Sequence, residues 1–287
     1  MHPIAILLVA IAAVCHAVWN LYAKRAADGG AVFVWLNSAV STVLYLPVAI
    51  GASLLYPPQW SWVLPGAMLV TGILHSGYSV ALQRGYQHGD MSVVYPLARG
   101  TGPALSVAFA VVVLGERPGV IGLIGAGAVI AGILIIGLGR AGGTGKLAAG
   151  VGYGLITGTL IASYTVWDAM SVGALAISPI LLDWGNNLTR TMLLSPHSLR
   201  RRDEIRRVWR RHRTAVLVVA TIAPAAYILV LFAYRYAPIS FVAPARELSI
   251  VIGGILAWLL LREPQAGRRI TGAAVVLLGV IALAAAK

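Results

Sequence analysis

The chain has 287 residues, 59% of them hydrophobic and only 11% charged, with a mean hydropathy of +0.84. A soluble domain carries charge on about a quarter of its residues, so this chain lacks the polar surface to cover itself and reads as an integral membrane protein. Its net charge of +13 would suit nucleic acid, but no aromatic platform or groove-reading motif accompanies the charge, and nucleic acid is not an expected partner.

Ten apolar runs have the length of about 20 residues that a spanning helix needs. They cover 3–23, 31–54, 62–83, 91–113, 119–139, 148–170, 174–195, 214–234, 239–261 and 267–286. The first has no basic n-region or small-residue cleavage site and is expected to stay as a helix. The runs are continuous rather than alternating, which argues against strands. The 32 glycines fit helices whose backbones approach closely in a membrane; "GLIGAGAVIAGILIIG" (Gly122–Gly137) is an example. The letters "GLGRAG" (Gly137–Gly142) follow no strand, so they carry no dinucleotide site. The single Cys15 excludes an internal disulfide and a cysteine cluster for zinc or iron–sulfur; no cofactor and no metal are expected.

The halves repeat. "HAVWN" (His16–Asn20) matches "YTVWD" (Tyr164–Asp168), and "SVVYPLAR" (Ser92–Arg99) matches "SFVAPAR" (Ser240–Arg246) with one residue deleted. Beyond the deletion Glu116 aligns with Glu263, Gly125 with Gly272 and Gly132 with Gly279. The expected fold is all-α: two five-helix repeats, 1–143 and 144–287, joined by "GRAGGTGK" (Gly139–Lys146) around a central cavity. An odd helix number inverts the second repeat, an arrangement many secondary transporters share. Loops after odd-numbered helices hold sixteen Lys and Arg residues, eight of them in "LRRRDEIRRVWRRHR" (Leu199–Arg213), against three on the other side. The positive-inside bias puts those loops in the cytoplasm and both termini outside, in a plasma membrane of bacterial type.

The "YPLAR…GERP" block (Tyr95–Pro118), its copy ending "REP" (Arg262–Pro264) and the pattern at Trp19 resemble the drug/metabolite transporter superfamily, in particular its ten-helix EamA-type members. The resemblance implies a secondary transporter exporting or exchanging small polar metabolites by alternating access. The aromatic first and sixth helices are also similar to the aromatic amino-acid exporters of that superfamily.

Arg246 and Glu247 lie inside an apolar run, where each costs at least a few kcal/mol unless it meets a cavity or a partner. Arg246 and Arg99 sit about 10–12 Å into their helices, approaching the midplane of a ~30 Å core. Pro96 and Pro244 can kink or unwind the helix beside them. Helical spacing groups His16 with Trp19 and Asn20, Tyr164 with Trp167 and Asp168, His75 with Tyr78 and Ser79, and Asp183 with Asn186 and Asn187. Tyr95 lies one turn before Arg99, and Tyr227 follows Pro224. An aromatic face turned inward offers stacking and cation–π contacts. The candidate substrate-binding set is therefore Trp19, Asn20, His75, Tyr78, Tyr95, Arg99, Trp167, Asp168, Asn186, Tyr227, Arg246 and Glu247. Adjacent helical residues point about 100° apart, so one of the pair should face the cavity and the other a neighbouring helix. Arg246 is expected at the cavity because the repeat reproduces it as Arg99, whereas Glu247 is matched by Gly100. For each single aromatic, and for His75, packing is the competing reading.

The leading functional reading is a monomeric exporter of small amphipathic metabolites, with amino acids, aromatic ones especially, ahead of cationic drugs and other metabolites. Membrane lipid and a small-molecule substrate are its expected partners. A membrane enzyme acting on lipid-linked substrates would need paired acids or metal-ligand spacing, and the nine acidic residues are scattered. A passive channel would need a repeated polar pore stripe, which no helix carries.

Overall fold

A computed structural model describes residues 2–57, 61–89, 91–137, 144–253 and 267–286. Glu263, the "REP" copy, the 139–143 part of the linker and the 254–261 end of the expected ninth helix lie outside the described residues. Among those described, the structure is all-α. The helices are α1 (Pro3–Arg25), α2 (Gly30–Leu55), α3 (Val63–His88), α4 (Met91–Val112), α5 (Gly119–Gly137), α6 (Thr144–Gly173), α7 (Pro179–Ser198), α8 (Arg202–Ala233), α9 (Ile239–Ala245) and α10 (Gly267–Ala285). A 3-10 turn, Ala27–Gly29, joins α1 to α2.

Six of these, α1, α2, α3, α5, α6 and α8, contain stretches long and apolar enough to cross a membrane, so the chain is a multi-pass membrane protein. Helices α4 and α7 fall outside that set. They carry the polar residues Arg99, Asp183, Asn186, Asn187 and Arg190, which lower their hydropathy, and Arg99 belongs to the centre described below.

Helix contacts follow the repeat. Shifting labels by five turns α1–α8 into α6–α3, α2–α8 into α7–α3, and α4–α5 into α9–α10, and each of these pairs packs together. Helices α5 and α10 cross antiparallel, backbone to backbone. A Cβ on Gly125 would stand 2.9 Å from the Gly279 carbonyl oxygen, and one on Gly132 would stand 2.7 Å from that of Gly272. Only glycine fits contacts this close, the packing that small residues give membrane helices. One continuous core of Val, Leu, Ile, Ala and Phe side chains runs through the helices of both halves.

Two expectations from sequence need correction. The arginine-rich segment is no loop: 202–213 forms the first turns of α8, bent at His212 (φ −124°, ψ 20°). Arginine is a good helix former, and Ile205 and Val208 dock this end against Ala26, Phe33 and Leu36. The second, that the prolines kink or unwind the helix beside them, holds for Pro244 but not for Pro96. Helix α4 runs unbroken through Pro96 and Pro103, whereas α9 stops after seven residues. Arg246 and Glu247 form a turn, and helix resumes over 248–253. Across the break the amides of Glu247, Ser249 and Ile250 bond to carbonyls three residues back instead of four.

Candidate functional site

Helix α6 brings Tyr164 and Asp168 to the middle of the bundle, one turn apart and both buried. Asp168 is fully enclosed. Its Oδ2 accepts a 2.6 Å hydrogen bond from the Tyr227 hydroxyl of α8 and lies 3.1 Å from His75 Nε2 of α3. An ionised carboxylate only accepts, so that nitrogen is the donor. Tyr164 is the hub of an aromatic group. The His75 ring stacks on it at 4.0 Å, and Tyr78 and Tyr227 meet it edge-on at 5.8 and 6.3 Å.

The second group is ionic. Glu247, with no exposed surface, accepts from Arg99 Nη1 on one oxygen and from Arg246 Nε on the other, each at 3.3 Å. Unpaired, such a carboxylate would be very costly in a low-dielectric interior; flanked by two guanidinium groups it is compensated. Arg99 also lies over the Tyr95 ring at 5.6 Å. Arg246 links the two groups, because its guanidinium lies 5.7 Å over the Tyr164 ring. The break after Ala245 lets neighbouring side chains that a helix would splay apart turn toward each other. Two atoms here are buried without a hydrogen-bond partner among the described residues: Arg246 Nη2 and Asp168 Oδ1.

The structure therefore gathers His75, Tyr78, Tyr95, Arg99, Asp168, Tyr227, Arg246 and Glu247 of the sequence-derived set. The others take different partners. Trp19 donates to His16 Nδ1 at 2.9 Å and packs beside Phe33 and Val216, and Asn20 bonds back to the His16 carbonyl. Trp167 donates to the Ala67 carbonyl of α3 at 3.3 Å and lines an apolar groove of about 650 Å³ with Leu74, Phe109 and Met170. Asn186 is buried on α7 beside Asp183, whose carboxylate accepts from Asn187 at 3.1 Å.

The candidate set omits Tyr164, the hub of the aromatic group, although its spacing to Asp168 was visible. It also omits Arg190, which follows Asp183 and Asn187 at i+7 and i+3 on one face of α7 and lies within electrostatic range of His75. Glu116 has a role that no spacing revealed. Gly115 and Gly119, both at φ +68°, bracket its turn, and its two oxygens accept from the Ile239 and Ser240 amides at 3.0 and 2.9 Å. A carboxylate from the first half thus caps the N-terminus of α9 in the second.

The EamA-like transporter family model matches the chain twice, over residues 3–138 and 148–285. The chain belongs to this family. Its membership makes it a small-molecule membrane transporter rather than an enzyme. Among solved structures, one crystal structure of a protein superposes on this EamA-like chain with a TM-score of 0.76. It is 15% identical, over 98% of this chain and 96% of that one, a likeness that speaks for the fold alone. No curated protein matches.

Proposed function

We propose that this transporter exports small amphipathic metabolites, amino acids first and aromatic ones favoured, by alternating access. Its halves, 1–143 and 144–287, would be inverted five-helix repeats rocking about a central site. The repeat-related helix pairs and the antiparallel crossing of α5 and α10 support the inversion. One observation carries the substrate class. A buried donor, Arg246 Nη2, and a buried acceptor, Asp168 Oδ1, each without a partner among the described residues, flank a cluster of tyrosines around Tyr164. A carboxylate suits the planar fork of Arg246, an ammonium suits Asp168, and an aromatic or apolar side chain suits the tyrosines. Arg99 and Glu247 hold Arg246 in place, and Asn186 extends the polar lining.

The reading includes a monomer in a plasma membrane of bacterial type, with both termini outside. The sixteen-to-three distribution of basic residues supports that orientation.

Counterflow of radiolabelled L-tryptophan, L-phenylalanine and a hydrophobic cation in proteoliposomes tests the proposal. The wild type is expected to exchange the amino acids, and Arg246→Lys, folded and inserted, to lower their transport about tenfold or more, because lysine lacks the fork. Normal amino-acid transport by Arg246→Lys, or transport of the cation alone by the wild type, overturns the assignment.

A further inference from the structure

The charges at the start of α8 are more than a topology signal. At about 100° per residue, Arg206, Arg207, Arg210 and Arg211 fall within an arc of about 140°. Ile205, Val208 and His212 occupy the opposite face, and Val208 is buried against Phe33 and Leu36. The inner face is thus committed to the bundle and the basic face is left outward, with all four arginines exposed. Together with Asp203 they line a surface groove of about 570 Å³.

Their carboxylate partners are few. Asp203 stands 4.0 Å from Arg206, with both side chains largely exposed, and Asp28 takes Arg211 at 3.2 Å. Among the described residues no carboxylate pairs with Arg207 or Arg210. The groove carries an excess of positive charge that its own acids do not cancel.

Position selects the counter-charge. Helix α8 has 32 residues, a length of about 48 Å at ~1.5 Å per residue, against a hydrocarbon core of ~30 Å. Its apolar part, 214–233, fills that core, so 202–213 emerges through the headgroup layer. Trp209, 39% exposed, is placed there as an interfacial aromatic would be. Helices of this kind, with an apolar face docked and a basic face at the membrane surface, attract anionic lipid.

We infer that the groove of Arg206, Arg207, Arg210 and Arg211 binds the phosphate headgroups of anionic phospholipids at the end of α8. The arginine fork takes phosphate oxygens in pairs, and the rigid helix holds four such donors in one patch.

Native mass spectrometry of the full-length protein in a neutral detergent, titrated with phosphatidylglycerol or phosphatidylcholine, tests this. The wild type should retain phosphatidylglycerol over phosphatidylcholine, with the preference falling as salt rises from roughly 0.1 to 1 M. The triple variant Arg206→Gln/Arg207→Gln/Arg210→Gln should lose the preference by on the order of tenfold or more. The corresponding triple lysine variant should keep most of it. Should the glutamine triple fail to fold, Arg207→Gln and Arg210→Gln singly must each weaken retention. Equal retention of the two lipids by the wild type, glutamine variants that keep the preference, or displacement of the lipid by a short oligonucleotide or inorganic phosphate at equal concentration would overturn the inference.

Discussion

Helices α4 and α9 descend from one repeated segment and fold in two ways. Each has a proline at its sixth position, Pro96 or Pro244, and an arginine near a matching depth. Yet α4 is continuous for 22 residues and α9 ends after seven. Since each proline removes one backbone donor, proline alone does not separate them. The residue after the arginine does differ. In α4 it is Gly100, whose Cβ position lies 3.3 Å from Leu134 of α5, so a long side chain there would collide with a neighbouring helix. In α9 it is Glu247, buried between arginines from both halves. The two segments also differ by the residue deleted between proline and arginine. Together with Glu247 in place of Gly100, this change accompanies a continuous helix in one half and a broken one carrying charge in the other.

Three substitutions sharpen this contrast. Glu247→Ala should have the largest effect, because it leaves Arg99 and Arg246 buried and uncompensated. A loss of about 3–5 kcal/mol is expected, read as a large drop in thermal midpoint or in the monodisperse fraction in detergent. Adding Arg99→Met should recover part of it, whereas a harmless Glu247→Ala would mean that the break in α9 is held by something else. Glu116→Ala removes the cap on α9 and should cost about 0.5–2 kcal/mol, seen as a smaller fall in the same midpoint; an unchanged midpoint would detach the cap from the stability of α9. Gly100→Ala should be the mildest, under about 1 kcal/mol, since better helix propensity offsets a contact that the Leu134 tip can relieve. A loss as large as that of Glu247→Ala would show that α4 tolerates no side chain at this depth.

The sequence pattern located the helix starts to within a few residues at most of the membrane segments, because long apolar runs bounded by Gly and Pro leave little freedom. It also singled out Arg246, Glu247 and Arg99, since a charge within such a run demands a partner. It allowed for a break beside either proline, Pro96 or Pro244, but did not tell which of the two would break, because hydropathy sees an unbroken run in both segments. It missed the helical start of α8 for the opposite reason: dense charge looks like loop, while Ile205 and Val208 still supply an apolar face. The cap from Glu116 spans 123 positions along the chain, and no local pattern encodes a contact of that reach. Trp19 and Trp167 align in the repeat yet serve different partners, because the aligned histidine and tyrosine before them, His16 and Tyr164, are not equivalent donors and acceptors.

The ionic group around Glu247 has a consequence in its arithmetic. At formal charges Arg99, Arg246 and Glu247 sum to +1, and the neighbouring Asp168 brings the centre to zero. A zwitterion enters such a centre without changing that sum, whereas a cation or an anion leaves a net charge in a medium where a Coulomb term is many times its value in water. On the substrate class proposed above, neutrality becomes a selection rule. On that proposal the centre would admit ligands by the balance of their two ends, and an amino acid whose carboxylate is amidated should be excluded even with its aromatic ring intact.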